Sequence, residues 1–213
     1  MTNFAIDTLS PKRLGLITGS RCTPLFPKRD AEKGMKTLAM QLANEKYWGY
    51  VDEVTTWQME HGKLAEHFGI EHFRRHIDPT IKEGRFIQKG ECGGTTDAEC
   101  EGYGVDIKSP TSLQKWTEYL YYGISDEQFN QCQMYMYLTG FRRWVIAAFL
   151  IETNFMSDNG LIYPVDEDKR MICVDVYASD EWVEKLHPQV EKVVLMREDF
   201  VSKLERKFGK RNG

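Results

Sequence analysis

The sequence predicts an α/β fold of the α+β kind, with a central mixed β-sheet flanked by helices. Three observations carry this. Apolar residues recur at helical spacing toward both ends of the chain. Short strand patterns around a glycine-rich turn fill residues 85–110. Residues 144–152, WVIAAFLIE, form an unbroken apolar run, and a further strand pattern follows at 171–177. An unbroken apolar strand is the kind buried on both faces, as in a sheet covered by helices. The 213 residues are 41 % hydrophobic, with 5 Trp, 10 Tyr and 11 Phe, enough for a core without covalent staples. The length fits a single domain over 1–213.

In chain order, Thr18-Gly19-Ser20 reads as a helix start, with Pro24 limiting that helix or sitting in its first turn. Asp30 caps a helix over 31–46, whose apolar stripe is Met35, Leu38, Ala39 and Leu42, and Gly49 closes it. A longer helix over 57–76 carries Leu64, Phe68 and Phe73 as its buried stripe. Residues 85–88 read as a short strand. The segment GGTTDAECEGYGVDIKSP, residues 93–110, reads as a hairpin turning at Gly102. In its second arm Val105 and Ile107 point to one side, Asp106 and Lys108 to the other. Ser125 and Gln128 form a capping box for a helix ending near Gly140. Strands follow over 144–152 and 171–177. Residues 180–208 are helical, interrupted or restarted at Pro188.

Composition excludes several classes. The charged share is 28 %, too low for a disordered chain and too high for a membrane protein. The longest apolar run, Trp144 to Ile151, is far short of a spanning helix. The N-terminus shows no secretory pattern, which points to the cytoplasm. Five scattered cysteines without a C-x-x-C pair suggest reduced, mostly buried thiols. Net charge is −4, but residues 1–48 hold eight Lys or Arg against four acids, a local excess of +4. The remainder carries −8. A basic segment on an acidic body suggests a local anion site, although part of it is a solvated helix face.

The informative cluster is Asp97 together with Asp106-Ile107-Lys108. Two carboxylates at facing positions of a hairpin can share a hard cation. Mg²⁺ takes oxygen ligands, keeps several waters, and is commonly held by one or two carboxylates plus a phosphate. The Ile107 carbonyl can add a ligand between the two functional side chains. Lys108, on the Asp106 face, can position an attacking water or stabilise charge developing at phosphorus. A D-x-K triplet alone is usually a solvated strand. The double glycine, the turn and the buried run around this one set it apart.

GGTTDAE…VDIKSP resembles the core motif of the PD-(D/E)xK nucleases, whose fold is restriction-endonuclease-like. The flanks resemble the lambda-exonuclease-like, YqaJ-type viral recombinase nucleases: RLGLITGSR at 13–21, HGKLAEHFG at 61–69 and NQCQMYMYLTG at 130–140, in the family's order. The resemblance spans most of residues 13–152. It implies one nuclease domain: a deoxyribonuclease that digests one strand of linear double-stranded DNA, 5′ to 3′, in phage-type recombination. It implies Mg²⁺, with Mn²⁺ as an alternative, and metal-site roles for Glu66, Asp97 and Asp106. Lys108 would be catalytic, Arg13 and Ser20 would bind a 5′-terminal phosphate, and Gln131 would stand on the helix beside the site. A trimeric ring on DNA ends, a single-strand annealing protein as partner, and the host cytoplasm if phage-encoded also follow from it. Thr96 replaces the usual Pro, Asp106 stands where Glu is commoner, and the Trp that often precedes the Arg-x-Gly segment is missing.

Two alternatives stay open. One is another PD-(D/E)xK nuclease of repair or CRISPR adaptation, although such enzymes often carry a cysteine-ligated cluster and this chain has no C-terminal cysteine group. The other is a non-catalytic DNA-end-binding protein, which need not keep Asp97, Asp106 and Lys108 together. Elsewhere, His72 and His76 are spaced i, i+4 but lack an evident third zinc ligand. Glu60, Glu99 and Glu101 read as solvated, Tyr135 and Tyr137 as core or groove wall. The basic tail from Lys203 to Arg211 reads as compensation of the helix dipole, ahead of the alternative of a minor DNA contact.

Overall fold

The computed structural model describes residues 13–26, 31–50, 57–152 and 163–210. The elements are β1 (Ile17–Thr18), α1 (Ala31–Trp48), α2 (Trp57–His76), β2 (Lys82–Glu83), β3 (Phe86–Lys89), β4 (Cys92–Thr95), β5 (Ala98–Cys100) and β6 (Tyr103–Lys108). They continue with α3 (Leu113–Tyr122), α4 (Asp126–Thr139), β7 (Arg143–Phe149), β8 (Met171–Tyr177) and α5 (Asp180–Phe208). The chain is α+β, as expected. It divides into two compact units, one of residues 1–53, 88–94 and 180–213, the other of 54–87 and 95–179.

In the first unit α1 buries Met35, Leu38, Ala39 and Leu42, the expected stripe. Its last bond runs from the Gly49 N–H to the Glu45 carbonyl at 2.9 Å, and the positive φ of 64° at Gly49 then turns the chain out of the helix. Asp30 lies outside the described residues. The expected helix at Thr18 is instead two three-residue 3-10 turns, Gly19–Arg21 and Thr23–Leu25. Pro24 has no N–H to return to the Ser20 carbonyl, so an α-helical ladder would lose a bond there. β1 runs parallel to β4, with Ile17 opposite Cys92. α5 is one helix through Pro188, not two. Its buried residues Trp182, Leu186 and Val193 lie on both sides of the proline, so packing spans the lost hydrogen bond.

The second unit holds a five-stranded mixed sheet in the order β2-β5-β6-β7-β8. β6 and β7 are parallel, with Asp106 beside Ile146 and Lys108 beside Ala148, and the other pairs are antiparallel. From Trp144 to Leu150 the chain is fully buried, as the unbroken apolar run required. Val105, Ile107, Val145 and Ala147 pack with Ile70 and Phe73 of α2. Phe68, expected in the buried stripe of α2, is 52 % exposed, and the Leu64 side chain lies outside the described residues. Gly69 explains the rotation. A Cβ there would lie 2.6 Å from Ile107 Cγ2, so the helix presses on β6 at this glycine. Ala65, His72 and Phe73 flank it at helical spacing and turn inward, while Phe68 turns away.

Two elements differ from expectation. The first arm of the hairpin is broken: β4 belongs to a three-stranded sheet, β1-β4-β3, and β5 to the five-stranded one. α3 was not foreseen, although Ser112 caps it by accepting a hydrogen bond from the Lys115 N–H at 3.2 Å. α4 carries the expected capping box, and Gly140 ends it with a φ of 82°. Among the described residues no helix is long and apolar enough to cross a membrane. No disulfide joins the five cysteines, and all but Cys173 are buried.

Gly104 sits in β6 opposite Trp144, and a Cβ there would lie 2.1 Å from the indole ring. Trp144 is wholly buried and has nowhere to go. Gly104→Ala should destabilise the protein by about 3 kcal/mol, lowering the midpoint of thermal denaturation by roughly 6–12 °C.

Candidate active site

The chain changes sheets at Thr96-Asp97, and that break places Asp97. The Thr96 N–H donates to the Arg85 carbonyl at 3.2 Å, and Thr96 Oγ1 donates to Glu99 Oε1 at 3.1 Å. A proline at 96 could make neither bond, so Thr96 holds this turn by its own means. Glu99, expected to be solvated, is in fact tied into the same turn; Glu101 is exposed. Past the turn, Asp97 Oδ2 accepts the Ile107 N–H at 2.9 Å. This bond fixes its carboxylate against the strand that carries Asp106.

Asp106 is 1 % exposed. Strand alternation turns it away from the Val105–Ile107 core, together with Lys108. Lys108 Nζ stands 2.6 Å from Asp106 Oδ2, yet both Asp106 oxygens lack a well-aligned hydrogen-bond partner. Burial pushes the Asp97 carboxyl well above the usual carboxylate range, and the charges of Asp106 and then Glu66 push it the same way. Burial alone would lower the Lys108 ammonium, but Asp106 and Asp97 hold it above its ordinary range. Two carboxylates therefore share one cation, a balance short of one positive charge.

Gln131 of α4 joins this group. Lys108 Nζ donates to Gln131 Oε1 at 3.3 Å, and Gln131 Nε2 donates to the Tyr135 hydroxyl at 3.2 Å. Tyr135 is buried, as expected, but it also supports Gln131, a role the sequence reading missed. The i, i+4 spacing of Gln131 and Tyr135 on one helix was the available signal. Burial, then the charges of Asp106 and Asp97, raise the Tyr135 pKa.

The donor set suits a hard divalent cation. Asp106 offers two buried oxygens, of which Oδ2 is ion-paired to Lys108 and neither has a well-aligned hydrogen bond; Asp97 offers a second carboxylate, and the two carboxylates share one cation. Among the described residues no three His, Cys, Asp or Glu side chains stand together as a closed metal cage. His72 and His76 bring their rings to 4.5 Å. Burial and then His76 lower the His72 pKa, and no zinc site forms around them among the described residues.

Arg13 and Ser20 belong to the first unit. Arg13 Nε is shut off from solvent with no hydrogen-bond partner. Ser20 is exposed, its Oγ 3.4 Å from Thr18 Oγ1. The segment between them is braced from two helices. Glu45 of α1 accepts the Gly15 N–H at 3.1 Å and pairs with Arg21. Arg197 of α5, 3 % exposed, donates to the Gly15 carbonyl at 2.8 Å. Thr18 starts only a three-residue 3-10 turn, so the expected α-helix N-terminus at Ser20 is not formed.

No protein-family model matches the sequence, and no curated protein matches it. Solved structures do share its α+β fold. The alkaline exonuclease LHK-Exo from Laribacter hongkongensis superposes with a TM-score of 0.73 at 18 % identity, over 92 % of this chain and 94 % of that one. The same protein in complex with dAMP gives 0.73 at 18 %, over 92 % and 95 %. A phage-related exonuclease from Haemophilus somnus 129PT gives 0.72 at 16 %, over 89 % and 96 %.

Proposed function

We propose that this chain is a metal-dependent deoxyribonuclease that degrades one strand of linear double-stranded DNA from its 5′ end during recombination. The observation that carries the reading is the convergence of Asp97, Asp106 and Lys108 at the sheet break, on a fold shared with exonucleases. Asp97 and Asp106 would hold Mg²⁺ or Mn²⁺, with the Ile107 carbonyl and Glu66 beside them. The cation, when bound, would supply Lewis acidity toward a phosphodiester and a lowered pKa for water. Lys108 stays protonated at neutral pH, so it serves as a fixed positive charge for the phosphate oxygens and not as a base. Gln131 aims it. The Arg13 guanidinium suits a terminal phosphate, which a planar fork grips through two oxygens. The Ser20 hydroxyl would complete that pocket. A trimeric ring would let an acidic protein stay on DNA by topology, since phosphate contacts weaken steeply with salt.

The test is digestion in Mg²⁺ of three substrates: 5′-phosphorylated linear duplex, 5′-hydroxyl linear duplex and closed circular duplex. The expected order is fast, slow and uncut, with EDTA stopping the reaction. Arg13→Ala should shrink the advantage of the 5′-phosphate by about ten- to a hundred-fold. No cleavage in Mg²⁺ or Mn²⁺ would overturn the nuclease reading, and equal rates on the two linear ends would remove only the phosphate pocket.

A further inference from the structure

We propose that a cavity lined by α3 and α4 receives a nucleobase of the strand being cut, and that Tyr122 is the face on which the base stacks. The proposal rests on the nuclease reading and names a subsite of it. The cavity measures about 640 Å³, and Lys108 and Gln131 form part of its wall. It therefore adjoins the proposed cleavage chemistry directly.

Three features define what fits there. First, α3 is fixed by its inner face: the Trp116 Nε1–H donates to the Ala148 carbonyl at 3.0 Å. Tyr119 and Tyr122, spaced i, i+3, both line the cavity. The Tyr119 hydroxyl accepts a 2.6 Å hydrogen bond from Gln128 of α4, which locks its ring into the wall. Second, Tyr122 is 82 % exposed, and its neighbours Leu120 and Tyr121 are 67 % and 71 % exposed. An aromatic ring left this open beside a catalytic group is available for stacking. Third, the charges balance. Lys108 and Lys115 face the cavity, but so do Glu118 and Glu127. A pocket for phosphate would be basic. This one offers ring faces and mixed polar groups, which suit an uncharged base, and stacking tolerates any base identity.

Fluorescence anisotropy tests this with the full chain in EDTA, where no cutting occurs. The probes are a labelled eight-nucleotide single strand and an abasic strand of equal length. The wild type should bind the base-bearing strand about ten-fold more tightly. Tyr122→Ala should lose most of that preference, and Tyr122→Phe should keep it because the ring remains. The exposed position makes an unchanged melting temperature the expected control. A Tyr122→Ala protein with the full wild-type preference would overturn the proposal, as would a wild type that binds both strands equally. A protein partner docking on Leu120–Tyr122 would give this second result. Since binding is read without cleavage, failure of the nuclease reading would appear separately, as absence of digestion in Mg²⁺.

Discussion

Asp106→Asn is expected to fold, bind DNA and fail to cut it, with the rate in Mg²⁺ falling by at least about a thousand-fold. The substitution keeps the shape of a side chain that is 1 % exposed, so packing between β5 and β7 survives. It removes the negative charge nearest Lys108, whose Nζ stands 2.6 Å away. Lys108 retains Asp97 as a counter-charge and Gln131 as a hydrogen-bond partner, so the cation is not stranded. Oxygens that now lack aligned hydrogen bonds would become an amide, a poor ligand for a hard cation. Digestion of linear duplex by wild type and variant, with anisotropy in EDTA as the binding control, decides the matter. Activity within ten-fold of wild type would mean that Asp106 is a structural acid.

The pair Asp106–Lys108 was legible because strand alternation is local. Two residues apart on a strand means one face, whatever the rest of the chain does. The capping box at Ser125 and the glycine ends at Gly49 and Gly140 were legible for the same reason. The position of Asp97 was only half legible. Its facing position across the hairpin was foreseen, but the change of sheets at Thr96 was not. That break depends on Arg85 and Gly84, more than ten residues away, whose backbones bond to Thr96 and Asp97. Phe68 shows the same limit on a helix. Its apolar character satisfied the periodicity, yet the inward face of α2 is set by contact of Gly69 with Ile107, a residue in another element. The helix expected at Thr18 is instead two 3-10 turns, the second carrying Pro24, the residue the sequence marks as its limit or first turn. The bracing of the Arg13 segment by Arg197 joins residues 182 positions apart, and no local pattern announces such a bond.

Asp97→Asn should make the metal-free protein more stable while removing its activity. Burial raises the Asp97 pKa in the folded state above its ordinary value of 3.8. The folded protein then holds a proton that the unfolded chain releases, so stability falls as pH rises from about 3.8 through the raised pKa. Above that window the full penalty of an ionised, poorly compensated carboxylate remains. Asparagine carries no such charge, and its side-chain oxygen can still accept the Ile107 N–H. At neutral pH the variant should therefore melt about 3–8 °C higher than wild type without metal. Below pH 3.8 the two should converge, because Asp97 is then neutral in both states of the wild type. Mg²⁺ should reverse the order. A cation at one hundred times its dissociation constant stabilises the wild type by about 2.7 kcal/mol, and the variant, short of one carboxylate ligand, gains less. Thermal melts across pH, with and without Mg²⁺, separate the cases. A variant that melts below wild type at neutral pH in EDTA would show that Asp97 stabilises the fold through Lys108 and Ile107 and carries no stored electrostatic strain.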